Sequence, residues 1–291
     1  MRKILITGCN GQLGREIQRE YGDTVTFIRT DMMAGDGVEA LDISNLADVQ
    51  AMVEKTSPDV IINCAAYTNV DGCENNEDVA YQANAIGPKN LAIAAKACGA
   101  KLIHISTDYV FNGRGSRPYV ETDAPDPVSA YGRTKAAGEK FVQENCDTYF
   151  ILRTAWLYGE GKNFVKTMLS LAETHQELSV VCDQLGSPTS AVELAKMIHF
   201  LEQTEAYGIY HATCEGDTNW ADFAEEIFRR MHKTVTVHHV TSEEYAAMNP
   251  ASANRPKYSI LANEKLRQLT SEFRMADWSD ALDAYLDTLR S

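Results

Sequence analysis

The sequence places a tyrosine and a lysine four residues apart, at Tyr131 and Lys135, in a stretch with a helical pattern. Residues at this spacing share one face of a helix, so both side chains are expected to point the same way. A free tyrosine titrates at about pH 10, and a neighbouring cation favours the phenolate, so Lys135 is predicted to lower the pKa of Tyr131. Thr107 ends an apolar run, and its hydroxyl is predicted to meet the same reacting oxygen. This set suits proton transfer to a carbonyl that receives a hydride from elsewhere.

A glycine-rich turn near the N-terminus supplies the context that this tyrosine and lysine need, because the same spacing also occurs by chance on surface helices. Residues 3–7 form an apolar run typical of a buried strand, and Gly8, Gly11 and Gly14 follow it at the start of a helical pattern. Glycines so spaced allow a tight turn and a close approach to a pyrophosphate, which the helix N-terminus then faces. The sequence therefore predicts a dinucleotide-binding turn that includes Gln12 and Leu13.

The end of the next apolar run, residues 25–28, bears on the choice of cofactor. Arg29 and Asp31 follow it closely. A dinucleotide fold distinguishes a ribose hydroxyl from a 2′-phosphate at the end of its second strand. Arg29 would suit the phosphate and Asp31 the hydroxyl, so the residues favour NADPH only slightly and leave NADH open.

Other cofactor contacts are predicted farther along the chain. Asp42 and Ile43 are expected beside the adenine ring. Another buried-strand run begins at Val60 and ends in small residues, which would let a cofactor lie against the strand ends. These small residues are Cys64, Ala65 and Ala66.

The order of elements predicts an α/β fold with a doubly wound, Rossmann-like parallel sheet and its ligand at the strand C-terminal ends. We expect residues 1–155 to form the dinucleotide-binding domain and residues 156–291 to form mainly a smaller substrate-binding lobe. Residues 178–203 are predicted to return to the first domain, so the C-terminal lobe is interleaved with it. Ser44 is predicted to cap the helix that follows it. The effect of Gly87-Pro88 on the surrounding helical tract is left open.

Composition excludes several classes of protein. The chain has 291 residues, 44% hydrophobic and 23% charged, as expected for a soluble globular protein. The net charge of −14 argues against nucleic acid or an anionic membrane as a partner. No apolar run is long enough to cross a bilayer, and no signal peptide is indicated. The seven cysteines are scattered without a Cys-x-x-Cys pair, which predicts reduced thiols in a cytoplasmic protein without a zinc site.

Several longer segments carry a resemblance to a known family. They include Ser-Thr-Asp-Tyr-Val-Phe at 106–111 and Tyr-Gly-Arg-Thr-Lys-Ala-Ala-Gly-Glu at 131–139, and their combination is far more specific than any one alone. The chain resembles the dTDP-4-dehydrorhamnose reductases, a family of extended short-chain dehydrogenases/reductases that completes dTDP-L-rhamnose synthesis. The other matching segments are residues 7–14, 63–71, 152–158, 163–169, 183–189 and 255–259.

The resemblance implies the roles of the catalytic residues. Tyr131 would donate a proton to the C4 oxygen of dTDP-4-dehydro-β-L-rhamnose, while the nicotinamide supplies the hydride. Lys135 would hold the nicotinamide ribose, and Thr107 would hydrogen-bond the reacting oxygen. Related sugar-nucleotide dehydratases carry Thr-Asp-Glu, whereas this chain has Tyr109 in the third position. The glutamate needed for eliminating water is therefore missing, which favours reduction.

The resemblance also implies a set of substrate contacts. Asp108 would lie beside the substrate, and Trp156 would pack against the deoxysugar nucleotide. Arg255 would face the diphosphate, with a surface salt bridge as the alternative. Some family members form dimers through magnesium held by glutamates. Glu16 matches the first of those positions, but the second is shifted to Glu193, so no metal site is predicted and magnesium stays uncertain.

Three functional alternatives remain open at this stage. The first is the reductase of the nucleotide-sugar, as a monomer or a homodimer. The second is a non-catalytic, NADP-binding subunit like the regulatory subunit of methionine adenosyltransferase, which resembles the same family. The third is an enzyme that acts on another nucleotide-sugar, which would differ only in residues of the pocket.

Overall fold

A seven-stranded parallel sheet forms the centre of the computed structural model, which describes residues 1–249 and 253–290. In these residues the strands are β1 (Lys3–Thr7), β2 (Thr26–Asp31), β3 (Glu39–Ala40), β4 (Val60–Asn63), β5 (Lys101–Thr107), β6 (Tyr149–Thr154), β7 (Leu157–Tyr158), β8 (Glu177–Val181), β9 (Leu185–Gly186), β10 (Thr189–Ser190), β11 (Gly208–His211), β12 (Thr218–Asn219) and β13 (Thr236–Val240). The α-helices are α1 (Gln12–Tyr21), α2 (Leu46–Thr56), α3 (Val70–Asn75), α4 (Glu77–Tyr81), α5 (Gly87–Cys98), α6 (Ala130–Asn145), α7 (Phe164–Ala172), α8 (Ala191–Glu202), α9 (Trp220–Arg230), α10 (Ser242–Met248), α11 (Glu264–Leu269) and α12 (Trp278–Arg290).

The strand order of the central sheet is β3-β2-β1-β4-β5-β6-β11. The chain builds outward from β1 to β3 and then crosses to β4 on the other side of β1. This reversal separates the loops that leave β1 and β4, so a crevice opens at their C-terminal ends. The predicted α/β, doubly wound fold is confirmed.

Alternating side chains on the buried strands join the sheet to helices on both faces. On β1, Ile4 and Ile6 point into a core shared with α1 and α8, whereas Leu5 points into a core shared with α2 and α5. All three side chains are fully buried. This is the pattern of a parallel sheet covered on both faces. None of the described helices combines the length and the apolar character needed to cross a membrane.

The C-terminal lobe has its own hydrophobic core, formed by α7, α9 and α12 with β8. Strand β8 pairs with β13, apart from the central sheet. Two other segments that follow residue 156 pack with the central sheet. Helix α8 packs against the same core as α1, and β11 extends the central sheet beside β6. The two parts are thus interwoven rather than joined by a linker.

The predicted cap of α2 is wrong by one residue. Asn45 caps the helix, because its Oδ1 accepts a hydrogen bond from the backbone N–H of Ala47 at 3.0 Å. Ser44 instead donates its hydroxyl to Oδ1 of Asp42 at 2.7 Å. Both residue types suit an N-cap, so the neighbouring carboxylate decides between them.

The Gly87-Pro88 pair does not interrupt the helical tract. A π-helical segment, Gln82–Ile86, leads directly into α5, which begins at Gly87. Pro88 therefore sits in the first turn of α5, where its missing N–H costs little. The wider π turn brings this segment against α6, which carries Tyr131 and Lys135.

Candidate active site

The glycine-rich turn after β1 is shaped by a close contact with the end of β4. Gly8 has a φ of +63°, and a Cβ there would lie 2.8 Å from the backbone nitrogen of Ala65. Gly11 precedes α1 without any side-chain cap, and the first turn of α1 holds no acidic residue. The first N–H groups of the helix thus remain available to an anion, which the helix dipole also favours. The turn fits the pyrophosphate of a dinucleotide.

A cleft of about 1090 Å³ opens at the C-terminal ends of the central strands. It is bounded by the glycine-rich turn, by the ends of β4, β5 and β6, and by the start of α6. The structure brings most of the predicted cofactor and substrate residues together here. Those that line the cleft are Gly8, Gly11, Gln12, Leu13, Gly14, Asp42, Ile43, Cys64, Ala65, Ala66, Thr107, Asp108, Tyr131, Lys135 and Trp156.

Arg29 is one predicted cofactor residue that does not line the cleft. Its side chain is exposed on β2, near Gly37. Asp31, two residues later, does line the cleft. Its carboxylate accepts hydrogen bonds from the backbone N–H groups of Asn10 at 3.0 Å and Met32 at 2.8 Å. At the end of β2 the sequence left open whether a positive or a negative side chain would face the cofactor. In the structure it is the carboxylate of Asp31 that lines the cleft.

The start of α6 sets the position of Tyr131 and Lys135. Ser129 caps this helix, and its hydroxyl accepts a hydrogen bond from the N–H of Gly132 at 3.1 Å. Lys135 is only 2% exposed, and its Nζ donates to the carbonyl oxygen of Ile105 at 2.6 Å. The ammonium is thereby fastened to β5, two residues before Thr107.

Thr107 links the tyrosine to a buried carboxyl group. Its hydroxyl donates to Oδ1 of Asp108 at 2.9 Å, and its side chain also interacts with Tyr131. Burial raises the pKa of Asp108 to about 6, although hydrogen bonds from its neighbours oppose the rise. A hydroxyl that donates to a carboxylate keeps its lone pairs directed at other donors, such as the phenol of Tyr131.

The prediction that Lys135 lowers the pKa of Tyr131 is wrong. Burial raises the pKa of Tyr131 above its ordinary value, and the carboxylate of Asp108 raises it further. Burial also lowers the pKa of Lys135 to about 8, with Glu139 opposing that change. In this environment Tyr131 keeps its proton at neutral pH, which is the state required of a proton donor.

Trp156 lies two residues after the end of β6, in a conformation that non-glycine residues rarely adopt, with a φ of +49°. Its ring stacks on that of Trp220 with centroids 3.6 Å apart and planes inclined by 12°. Strand β9 packs closely against this ring at Gly186. A side chain at position 186 would not fit, because a Cβ there would lie 2.6 Å from the Trp156 ring. Both tryptophans line the cleft, on the side of the C-terminal lobe.

Arg255 is the second predicted residue that does not line the cleft. Its Nη2 forms an ion pair with Asp71, at 2.9 and 3.0 Å from the two carboxylate oxygens. It also interacts with Tyr109, which does line the cleft. The salt bridge that was the alternative for Arg255 is therefore present, at the border of the site.

Comparison with known proteins agrees with this geometry. A family model described as the RmlD substrate binding domain matches residues 1–291. The chain belongs to this family. It is 40% identical over 274 residues to the dTDP-4-dehydrorhamnose reductase of Salmonella typhimurium, covering 91% of each chain. The resemblance noted in the sequence is confirmed.

Solved structures extend the similarity of this RmlD-family chain to its whole length. A dTDP-4-dehydrorhamnose reductase from Clostridium acetobutylicum has a TM-score of 0.93 and 49% identity, covering 99% of this chain and 100% of its own. One from Bacillus anthracis, solved in complex with NADP, has a TM-score of 0.90 and 42% identity, covering 99% of each chain.

Trp220 is the functional candidate of this RmlD-family chain that the sequence interpretation missed. It lies at the start of α9, far along the chain from Trp156, and no motif or periodicity joins the two. Asn163 and Phe164 also line the cleft. They belong to one of the matching segments, so that segment was the available signal, although no role was assigned to them.

Acidic and histidine side chains form one group of metal-ligating type among the described residues, Asp222, Glu225 and His239. All three are exposed on the C-terminal lobe, away from the cleft. Glu16, which raised the question of magnesium, forms a salt bridge with Arg19. Neither feature adds a ligand to the site described above.

Proposed function

We propose that this protein is an NAD(P)H-dependent reductase that converts the C4 ketone of dTDP-4-dehydro-β-L-rhamnose to the alcohol of dTDP-β-L-rhamnose. The observation that carries the proposal is the convergence of Tyr131, Lys135 and Thr107 at one cleft with the glycine-rich turn. The relatives of the chain that carry the name dTDP-4-dehydrorhamnose reductase support the choice of substrate.

The residues of the chain divide the work of the reduction. The bound nicotinamide supplies the hydride. Tyr131 donates its proton to the C4 oxygen, and Thr107 orients that oxygen by a hydrogen bond. Lys135, held at the carbonyl of Ile105, stabilises the phenolate that remains and positions the cofactor's ribose. Because the site is buried, these interactions are stronger than they would be in water.

The cofactor choice follows from the end of β2. Asp31 presents a carboxylate that accepts two backbone hydrogen bonds and lines the cleft, while Arg29 does not line it. A carboxylate there accepts hydrogen bonds from ribose hydroxyls and repels a 2′-phosphate. We therefore propose that NADH is accepted alongside NADPH.

The substrate end of the cleft is assigned to the C-terminal lobe. Trp156 and Trp220 offer an aromatic surface for the deoxysugar nucleotide, and Asp108, which also lines the cleft, would lie beside the substrate. Arg255, which pairs with Asp71 and interacts with Tyr109 at the border of the cleft, is proposed to face the diphosphate of the substrate. Its positive charge would then lie beside the anionic part of the substrate.

Substrate-dependent oxidation of the reduced cofactor tests the proposal. Wild-type protein is expected to oxidise NADPH and NADH only when the ketosugar nucleotide is present. Tyr131→Phe is expected to lower kcat by about 100-fold or more, because the proton donor is lost. Its Kd for NADPH, measured by fluorescence titration, is expected to change less than about twofold.

Tyr158→Phe is the matched control, because it removes a buried tyrosine hydroxyl that does not line the cleft. It is expected to retain the wild-type rate. A Tyr131→Phe variant with an unchanged rate would remove the proposed acid. Cofactor binding without turnover of any nucleotide-sugar would instead favour the non-catalytic, NADP-binding subunit. A pull-down would then test whether the protein binds a protein partner.

A further inference from the structure

A buried ion pair lies directly behind the site. The side chains of Arg153 and Glu139 are each 2% exposed. They meet in a two-pronged contact, with Nε to Oε1 at 2.9 Å and Nη2 to Oε2 at 2.7 Å. The hydroxyl of Ser106 also donates to Oε1 at 2.6 Å. Burying such a pair often stabilises a protein no more than apolar residues of similar size would, so stability alone does not explain it.

The position of the pair connects it to the catalytic residues. Glu139 follows Lys135 by four residues and Tyr131 by eight, so the three share one face of α6. Arg153 lies on β6, in register with Ser106 of β5, the residue before the catalytic threonine. The ion pair thus joins the catalytic helix to both strands, one residue before Thr107.

The orientation of Arg153 is fixed on its other side as well. Its guanidinium lies over the ring of Phe111, 5.0 Å from the centroid. Phe111 is itself buried and stacked on Tyr119, at 4.2 Å between centroids. A guanidinium held between an aromatic face and a carboxylate has little freedom to move, and neither has the helix to which it is bound.

The charges around Lys135 come from few groups. Glu139 faces it from the same helix, Cys64 from the end of β4 and His104 from β5. Burial raises the pKa of the Cys64 thiol to about 12, and burial with Lys135 itself lowers the pKa of His104 well below its usual range. Both are therefore neutral near pH 7. Among the described residues that face Lys135, Glu139 supplies the negative charge.

We infer that Arg153 and Glu139 are positioning residues for the proposed reduction: their ion pair holds α6 against β5 and β6, and the carboxylate of Glu139 keeps the buried Lys135 protonated. The inference rests on the proposed function, since it acts through Lys135. Neither Arg153 nor Glu139 touches the reacting atoms.

Titration of Lys135 by NMR, with carbon-13 in the lysine side chains, tests the inference without substrate. The signal is assigned by its loss in Lys135→Met. Glu139→Gln is expected to lower the pKa of Lys135 by about one unit, because Arg153 is left unbalanced nearby. Arg153→Lys keeps the charge and loses the two-pronged contact, so it is expected to leave the pKa within about 0.3 units of the wild-type value.

If Glu139→Gln does not fold, the titration of Lys135 can be measured in a double variant, Glu139→Gln with Arg153→Met. It replaces both charges by neutral side chains of similar size, which buried sites commonly tolerate. We expect it to fold and to lower the pKa of Lys135 by less than the single change does. A purely structural pair would lower the melting temperature of these variants and leave the titration of Lys135 unmoved, which would overturn the inference.

The pH profile of turnover supplies the second readout. The alkaline limb of kcat is expected to move to lower pH in Glu139→Gln by the same amount as the NMR titration. A shift in the titration of Lys135 with no turnover in the wild-type protein would refute the proposed function and leave the ion pair's effect on Lys135 standing. An unmoved titration in an active enzyme would refute the ion pair's role alone.

Discussion

Asp108 is a buried residue of this site whose ionisation at neutral pH costs the folded protein stability. It is 2% exposed, and burial raises the pKa of its carboxyl group to about 6. Its hydrogen bond from Thr107 favours the carboxylate but does not balance the loss of water. At neutral pH the folded protein therefore carries a buried charge that the unfolded chain would keep in water. Such strain is common where side chains serve a reaction rather than stability.

Asp108→Asn is expected to stabilise the fold at pH 7 by about 1–3 kcal/mol. The pKa of Asp108 is raised in the folded state, from 3.8 to about 6, so the folded protein binds the extra proton between these values. The cost of the carboxylate is thus small near pH 4, grows as the pH rises and is nearly complete above pH 6. Urea unfolding at pH 4 and pH 7 measures the difference between variant and wild type.

Asp36→Asn, in an exposed loop, is the control for this substitution, and it should change stability equally little at both pH values. A gain for Asp108→Asn of the same size at pH 4 and pH 7 would contradict the assignment, since it would not come from ionisation.

Helix α6 is the element that determines the site, and its packing depends on a glycine away from the catalytic residues. A Cβ on Gly138 would overlap the backbone carbonyl oxygen of Asn84, in the π-helical segment before α5. Backbone cannot move aside as a side chain can. Asn84 is also tied to α6 by a hydrogen bond from its Nδ2 to the hydroxyl of Thr134 at 3.2 Å. The close contact therefore sets the distance between α6 and the π-helical segment that precedes α5.

Gly138→Ala is expected to lower the free energy of unfolding by about 2–4 kcal/mol through overpacking, despite the better helix propensity of alanine. Displacing α6 also moves Tyr131 and Lys135, so kcat is expected to fall by about tenfold or more. Chemical unfolding and steady-state rates measure the two effects.

Gly35→Ala is the matched control for the glycine substitution. A Cβ at position 35 would meet only the side chain of Val38, at 3.9 Å, which is an ordinary contact. Its stability should stay within about 0.5 kcal/mol of the wild type. If Gly138→Ala changed stability and kcat as little as Gly35→Ala, α6 could not be in close contact with the backbone of Asn84 at Gly138.

At the scale of the whole molecule, the cleft lies where the two interwoven parts meet. Trp156 lies two residues after the end of β6, where the chain passes from the first part to the C-terminal lobe, while Trp220 begins α9 of that lobe. Phe164 packs beside Trp220, with centroids 4.5 Å apart. The proposed substrate end of the site is therefore built by contacts between distant segments of the chain, whereas the proposed cofactor end is lined by the glycine-rich turn of the first part.

Trp220→Ala is expected to weaken binding of the nucleotide-sugar without weakening binding of the cofactor. Losing the stacked ring removes one wall of the substrate region and frees Trp156, so the KM for the nucleotide-sugar should rise by about tenfold. The Kd for NADPH should stay within about twofold, because the glycine-rich turn is untouched. Steady-state kinetics and fluorescence titration measure the two constants.

Trp278→Ala provides a control on the same lobe. Trp278 packs edge-on against Phe223 with centroids 5.7 Å apart, away from the cleft. It should lower stability without raising KM. Equal effects of both tryptophan changes on KM would show that the ring at position 220 acts only through the fold of the lobe.

The sequence by itself determined the features that depend on local pattern. Buried runs and helical periods defined the doubly wound sheet, and glycine spacing defined the cofactor turn. The four-residue spacing of Tyr131 and Lys135 placed both on one helix face. These follow from the geometry of a strand or a helix, which neighbouring residues specify.

Only the tertiary structure decided what depends on residues distant in the chain. Burial, rather than Lys135, sets the direction of the pKa of Tyr131, and it is Asp31 rather than Arg29 that lines the cleft. The stacking of Trp156 on Trp220 and the pairing of Glu139 with Arg153 likewise have no local signature. Desolvation and side-chain contacts arise when separate elements pack, so no spacing within one element contains them.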